Sequence, residues 1–141
     1  MKWLKDSEEN VILTMVPGDK IKECIEKTAL EAGLVSASVA GIGAVENPVV
    51  GTADLLSGGY ITKEFKGIWE LININGNVTV IDGKPMAHLH VAIANPECEV
   101  RGGHLFEAAI GVTAEIVLTK LNTELKRSPS QRFPNIKVWD I

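Results

Sequence analysis

Residues Gly67–Asn95 read GIWELININGNVTVIDGKPMAHLHVAIAN. Apolar and β-branched residues alternate with polar ones, and Gly, Asn and Asp interrupt at short intervals. Successive side chains of a strand point to opposite faces. The stretch therefore predicts antiparallel strands with short connections. Asn75-Gly76 and Asp82-Gly83 both have the composition of two-residue hairpin turns. The closing segment MAHLHVAIA resolves into two faces. Ala87, Leu89, Val91 and Ile93 make a plain core face. Met86, His88, His90, Ala92 and Ala94 make the other, where two imidazoles stand side by side among small residues.

The same texture continues on both sides. SASVAGIGAV (36–45), NPVVGTADLL (47–56), GYITKEF (59–65), GVTAEIVLTKL (111–121) and NIKVWDI (135–141) all read as strands. Val11–Val16 is a further strand, stopped by Pro17-Gly18. One segment differs. In DKIKECIEKTALEAG (19–33), Ile21, Cys24, Ile25, Thr28 and Ala32 share a face at helical spacing. Asp19 is the expected N-cap and Gly33 the expected C-terminal stop. LFEAA (105–109) reads as a short helical turn after Gly102-Gly103, and SPSQRFP (128–134) as a loop. A helix followed by a run of strands predicts an α+β domain, mostly antiparallel sheet, spanning residues 1–141 as a single unit.

The chain has 141 residues, 45% of them apolar and 23% charged, as in an ordinary globular domain. Aromatic residues make up only 5%, and several strands consist of Gly, Ala and Val. Such a sheet has little bulk to cover it, which predicts that another copy supplies part of the core. Trp3, Trp69 and Trp139 are scattered and read as packing or interface residues. No apolar run is long enough to span a bilayer, and the opening MKWLKDSEEN turns acidic where a secretory signal turns apolar. Cys24 and Cys98 lie far apart, so free thiols in a reducing cytoplasm are the simplest expectation. The net charge of −4 argues against a domain built mainly to hold duplex phosphates. Lys126, Arg127 and Arg132, in KRSPSQR, are the best local candidates for contact with nucleic acid. GIGAV and LLSGG do not lead into a long helix, so neither reads as a phosphate-binding loop.

All three histidines, His88, His90 and His104, fall within a short span. Two His at i, i+2 on a strand can converge on one ion, and His104 can supply a third ligand from the next segment. Gly102 and Gly103 before it let the backbone turn sharply or approach closely. Three imidazoles with an open fourth position suit zinc, with nickel, copper or iron as other occupants. The plainer alternative is two partly exposed rings bonded to their neighbours and a third on a surface loop. Glu115, in TAEIVL, stands mid-strand among apolar residues. A buried carboxylate there would need a partner. It could orient an imidazole or act as general base for a water at the metal; otherwise it faces solvent.

Taken in order, GIGAVENPVVG, GxxELxxxNGNV, DGKPMAHLHVAIA, GGHL and TAEIVL resemble the PPC domain, the "plants and prokaryotes conserved" domain, in its stand-alone prokaryotic form. The resemblance runs from about Met15 to Leu121. It implies an antiparallel sheet with flanking helices, assembled as a homotrimer. It also implies a metal set at His88, His90 and His104 near a subunit interface. Plant members join the domain to an AT-hook, which enters DNA, and prokaryotic members are described as DNA-binding. This chain has no Arg-Gly-Arg-Pro segment. The implied role is a trimeric assembly module associated with DNA or with other proteins. A metal-dependent enzyme acting on a small molecule is the alternative.

Overall fold

The computed structural model describes residues 1–141. Nine strands and one helix follow each other as β1 (Lys2–Lys5), β2 (Asn10–Met15), α1 (Ile21–Ala32), β3 (Ser36–Asp54), β4 (Gly59–Glu64), β5 (Ile68–Ile81), β6 (Lys84–Ala94), β7 (Val100–Lys120), β8 (Lys126–Pro129) and β9 (Lys137–Asp140). The expected α+β architecture holds, with every paired strand antiparallel. A single α-helix accompanies the sheet, where the family resemblance implied several.

Seven strands form one sheet in the order β1-β2-β7-β6-β5-β3-β4, and β7 also pairs with β3. The pairs β7–β6, β6–β5, β5–β3 and β3–β7 therefore close on themselves. Two long strands make this possible. One edge of β7 pairs first with β6, through Val100–His104, and then with β2, through Ala114–Thr119. The opposite edge pairs with β3 from Ala37 to Gly51. The core fills the closed region with Leu71, Ile74, Leu89, Ile93, Leu105, Ile110, Ile116 and Leu118, and α1 adds Ile21, Ile25 and Ala29. Trp3 and Trp69 pack against it.

Asp82-Gly83 is the β5–β6 turn. Both residues have positive φ, 51° and 76°, and Ile81 pairs with Lys84 across it. These are the features of a type I′ turn. Asn75-Gly76 is not a turn. β5 runs straight through it, with Asn75 opposite His90 and Gly76 opposite Leu89. A Cβ on Gly76 would lie 2.0 Å from the His88 carbonyl oxygen. The glycine is there for close backbone approach, not for a left-handed conformation.

Three further expectations are corrected. LFEAA is strand, part of β7, because Leu105 and Ala108 are buried in a ladder against β3. Asp19 does not cap α1. Lys20 occupies that position without a side-chain cap, and the Asp19 carboxylate instead accepts the Val16 N–H and pairs with the Met1 ammonium at 2.8 Å. The hydrogen bond to that ammonium holds its pKa below the usual carboxylate range. The expected loop at 128–134 begins inside β8, which pairs with β9 as a separate two-stranded sheet. Gly33 ends the helix as expected, with φ 71°. No helix is long and apolar enough to cross a membrane.

Candidate metal centre

The β6 faces fall where the alternation puts them. Ala87, Leu89, Val91 and Ile93 are buried, and His88 and His90 point the other way. His104 arrives from β7, where it is the direct cross-strand neighbour of His90. Gly102 and Gly103 do not turn the chain; they let it pass close. A Cβ on Gly102 would meet the Val91 carbonyl oxygen at 2.5 Å, and one on Gly103 would meet that of Gly51 at 2.5 Å. Both sides of β7 are thus drawn tight around His104.

The three rings have centroids 5.0–5.5 Å apart, and their ligand nitrogens all lie within 4.8 Å of one another. The ring state suits a metal. Burial is the main cause that pushes His104 down to about 4, helped by the positive charge of His88, His90 and Lys22. His88 is lowered too, by burial first, then by Arg127, His90 and Lys22. Rings held neutral keep a lone pair for an ion. The Nδ1 atom of His104 is buried and has no hydrogen-bond partner. An unmade bond of this kind costs about 1–3 kcal/mol, and a metal ion would satisfy it. Tyr60 from β4 and Phe106 from β7 close over the same ring, with centroids 5.1 and 4.7 Å from it.

Arg127, one of the three basic residues named for contact with nucleic acid, is half-buried and its guanidinium is hydrogen-bonded within the fold. Its Nε donates to Thr79 Oγ1 at 3.1 Å, Nη1 to the Lys137 carbonyl at 3.0 Å, and Nη2 to Asn77 Oδ1 at 2.6 Å. Nη2 also lies 3.3 Å from His88 Nδ1. A guanidinium has only donors, so Nδ1 accepts. That contact and ligation of an ion by His88 exclude each other. In a metal-bound neutral imidazole one nitrogen is on the ion and the other carries a proton, which leaves nothing to accept. Lys126 stays exposed, and Arg132 is exposed with its guanidinium 5.2 Å from the Phe133 ring centre.

Glu115 is not brought to the cluster. It lies eleven positions beyond His104 on β7, roughly 35 Å of strand at ~3.3 Å per residue. Its side chain is exposed and its cross-strand neighbours are Thr14 and Ile42. It faces solvent, the plainer of the two expectations. Tyr60, Phe106 and the inward Arg127 had no signal in the sequence, because only tertiary pairing brings them to the histidines.

A cavity of about 580 Å³ opens beside His88 and His104, between α1, the start of β6 and the β8–β9 sheet. Together these features define a small antiparallel β domain with three imidazoles gathered at the edge of a solvent-accessible hollow. The model of the Plants and Prokaryotes Conserved (PCC) domain matches residues 5–122, and the chain belongs to that family. Among solved structures, a plant- and prokaryote-conserved protein from Pyrococcus horikoshii is 26% identical, with a TM-score of 0.86, over 99% of this chain and 94% of that one. A metal-containing protein from Archaeoglobus fulgidus is 29% identical, with a TM-score of 0.86, over the full length of both. A protein from Bacteroides thetaiotaomicron, provisionally designated DNA-binding, is 21% identical, with a TM-score of 0.91, over 99% of this chain and 96% of that one. Comparison with the curated proteins gives no match.

Proposed function

We propose that this chain is a metal-binding, self-associating PCC domain in which His88, His90 and His104 hold a divalent ion, zinc in the first place. One observation carries the reading: three imidazoles from two adjacent strands bring their ligand nitrogens within 4.8 Å of each other. The unpartnered Nδ1 of His104 and the likeness to the metal-containing Archaeoglobus protein support it. Bound there, zinc would supply a Lewis acid with room for one more ligand. His88 and His90 would orient it from β6 and His104 from β7. Tyr60 and Phe106 would shield one side from water.

Self-association is supported by an apolar patch on the outer face of the sheet, and three copies is the number the family resemblance implies. Ile12, Ile42, Val112 and Val117 line two adjoining hollows there, and each is exposed in the single chain. Contiguous apolar surface of this kind marks an interface.

A second reading, chemistry on a small molecule at the ion, is favoured by the cavity that adjoins His88 and His104. A purely structural ion would be closed off. Direct DNA recognition has weaker support. The Bacteroides likeness, at 21% identity, bears on the fold alone, and the Arg127 guanidinium already donates to Thr79, Asn77 and the Lys137 carbonyl. Elemental analysis of untagged protein tests the central reading: about one ion per chain is expected, lost in His88→Ala with His90→Ala. Retention of stoichiometric metal by that double variant would refute it. DNA retention at low salt, where the phosphate attraction is strongest, tests the last reading separately.

A further inference from the structure

The chain as a whole is acidic, with a net charge of −4, yet the cavity beside the histidines is not. Lys22 from α1, Lys84 from the start of β6, and Arg127 and Lys137 from the β8–β9 sheet line it, against one carboxylate, Glu26. That carboxylate is already engaged: it accepts the Ala87 N–H at 2.9 Å. The remaining ionisable groups on the wall are His88, His104 and Tyr60. Four cations drawn from four elements, α1, β6, β8 and β9, therefore face a hollow with a single carboxylate to answer them. In a concave site with low-dielectric walls such a field concentrates anions.

Apart from Asn135, the rest of the wall is apolar. Ile81, Pro85, Met86 and Ile136 contribute to it. A volume of about 580 Å³ falls in the range of sites for small organic molecules. A bare inorganic anion would leave that apolar wall wet; a ligand with a charged head and a short hydrocarbon body would cover it.

We propose that the cavity binds a small organic anion, a carboxylate or phosphate monoester, with its head towards Lys22, Arg127 and the imidazoles and its apolar body on Met86 and Ile136. Arg127 ties this site to the ion. If His88 ligates a metal, its Nδ1 no longer accepts from Nη2, and that N–H becomes free at the cavity wall. Zinc loading is therefore expected to tighten the anion; that enhancement rests on the metal reading given above, and the anion preference does not.

Calorimetric titration of the untagged protein with hexanoate, hexyl phosphate and the uncharged hexanamide tests the inference, with zinc-loaded and chelator-stripped samples run in parallel. At least one anion is expected to bind ten-fold or more tightly than hexanamide, and which head binds better identifies the class. Lys22→Gln with Lys84→Gln, both at accessible positions, is expected to weaken the anion at least five-fold without changing zinc stoichiometry. Hexanamide binding as tightly as both anions, or a double variant with unchanged affinity, would overturn the proposal. Absence of zinc together with a persisting anion preference would sink the metal reading and leave the anion site standing.

Discussion

Burial and the positive neighbours His88, His90 and Lys22 push His104 down to about 4, which gives the metal-free protein a defined acid response. Above about pH 6.5 both folded and unfolded chains hold this ring neutral. Between about 6.5 and 4 the unfolded chain takes up a proton that the folded chain refuses, so stability falls with pH across that window and levels off below it. A shift of this size would be worth ~3 kcal/mol by linkage; for a half-exposed ring, solvent screening leaves about 1–2 kcal/mol. Urea unfolding at several pH values should show that loss, and His104→Phe should remove the His104 share of it, leaving the part that belongs to His88. Arg127 makes a second prediction. Its hydrogen bond to His88 competes with the ion, and a net hydrogen bond is worth about 0.5–1.5 kcal/mol. Arg127→Met should therefore tighten zinc binding about 2- to 10-fold in a chelator competition. Weaker binding in a variant with a native circular-dichroism spectrum would mean that the guanidinium positions the ring instead. The histidine pair was legible in the sequence because the pleat fixes the parity of i and i+2. The direction of Arg127 was not: it lies 39 residues beyond His88, in a segment whose composition reads equally well as a solvated basic loop.

Two Gly-containing dipeptides in the β5–β6 hairpin look alike and do opposite things. Gly83 sits at φ 76° with open space where a Cβ would go. Gly76 is absent from the positive-φ positions and has a backbone oxygen 2.0 Å from that point. Turn composition in the sequence signals only that a side chain is unwelcome. It does not distinguish a left-handed backbone from a neighbour that is too close, so Asn75-Gly76 read as a turn. The two causes predict different penalties. Gly83→Ala meets only the left-handed cost, about 1–2 kcal/mol. Gly76→Ala must push β5 and β6 apart at the His88 carbonyl, and overpacking against backbone costs about 1–3 kcal/mol or more. Thermal unfolding should rank Gly76→Ala as the less stable of the two. Only that variant should also lower zinc affinity, because the strand it displaces carries two of the ligands. The long ladder between β3 and β7 was equally hidden. Alternation shows that a segment is a strand but not which strand lies beside it, and the LFEAA stretch within β7 lost its helical reading to that distant pairing.

The low aromatic content and Gly/Ala/Val-rich strands led to the expectation of a shared core, and the single chain leaves apolar side chains of β2, β3 and β7 exposed. Ile42 and Val112 are 55% and 57% exposed, and both border the hollow that also contains Glu115. β2, β3 and β7 present this face far along β7 from the histidines. Each side chain there contributes little to the isolated fold, since substitution of an exposed residue typically changes stability by about 0.5 kcal/mol or less. In an assembly the same side chains would be covered, at ~25 cal/mol per Å² of apolar area removed from water. A charge placed among them should then act on association and not on folding. Ile42→Glu, beside the Glu115 carboxylate, adds like-charge repulsion to the lost burial. Light scattering of the eluting protein should show three chains for the native sequence and one for Ile42→Glu, with a melting temperature lowered only in proportion to the lost association. A variant that keeps the native mass would place the contact elsewhere on the sheet. A native chain that is itself monomeric would remove the trimer and leave His88, His90 and His104 to hold their ion within one copy, as their geometry allows.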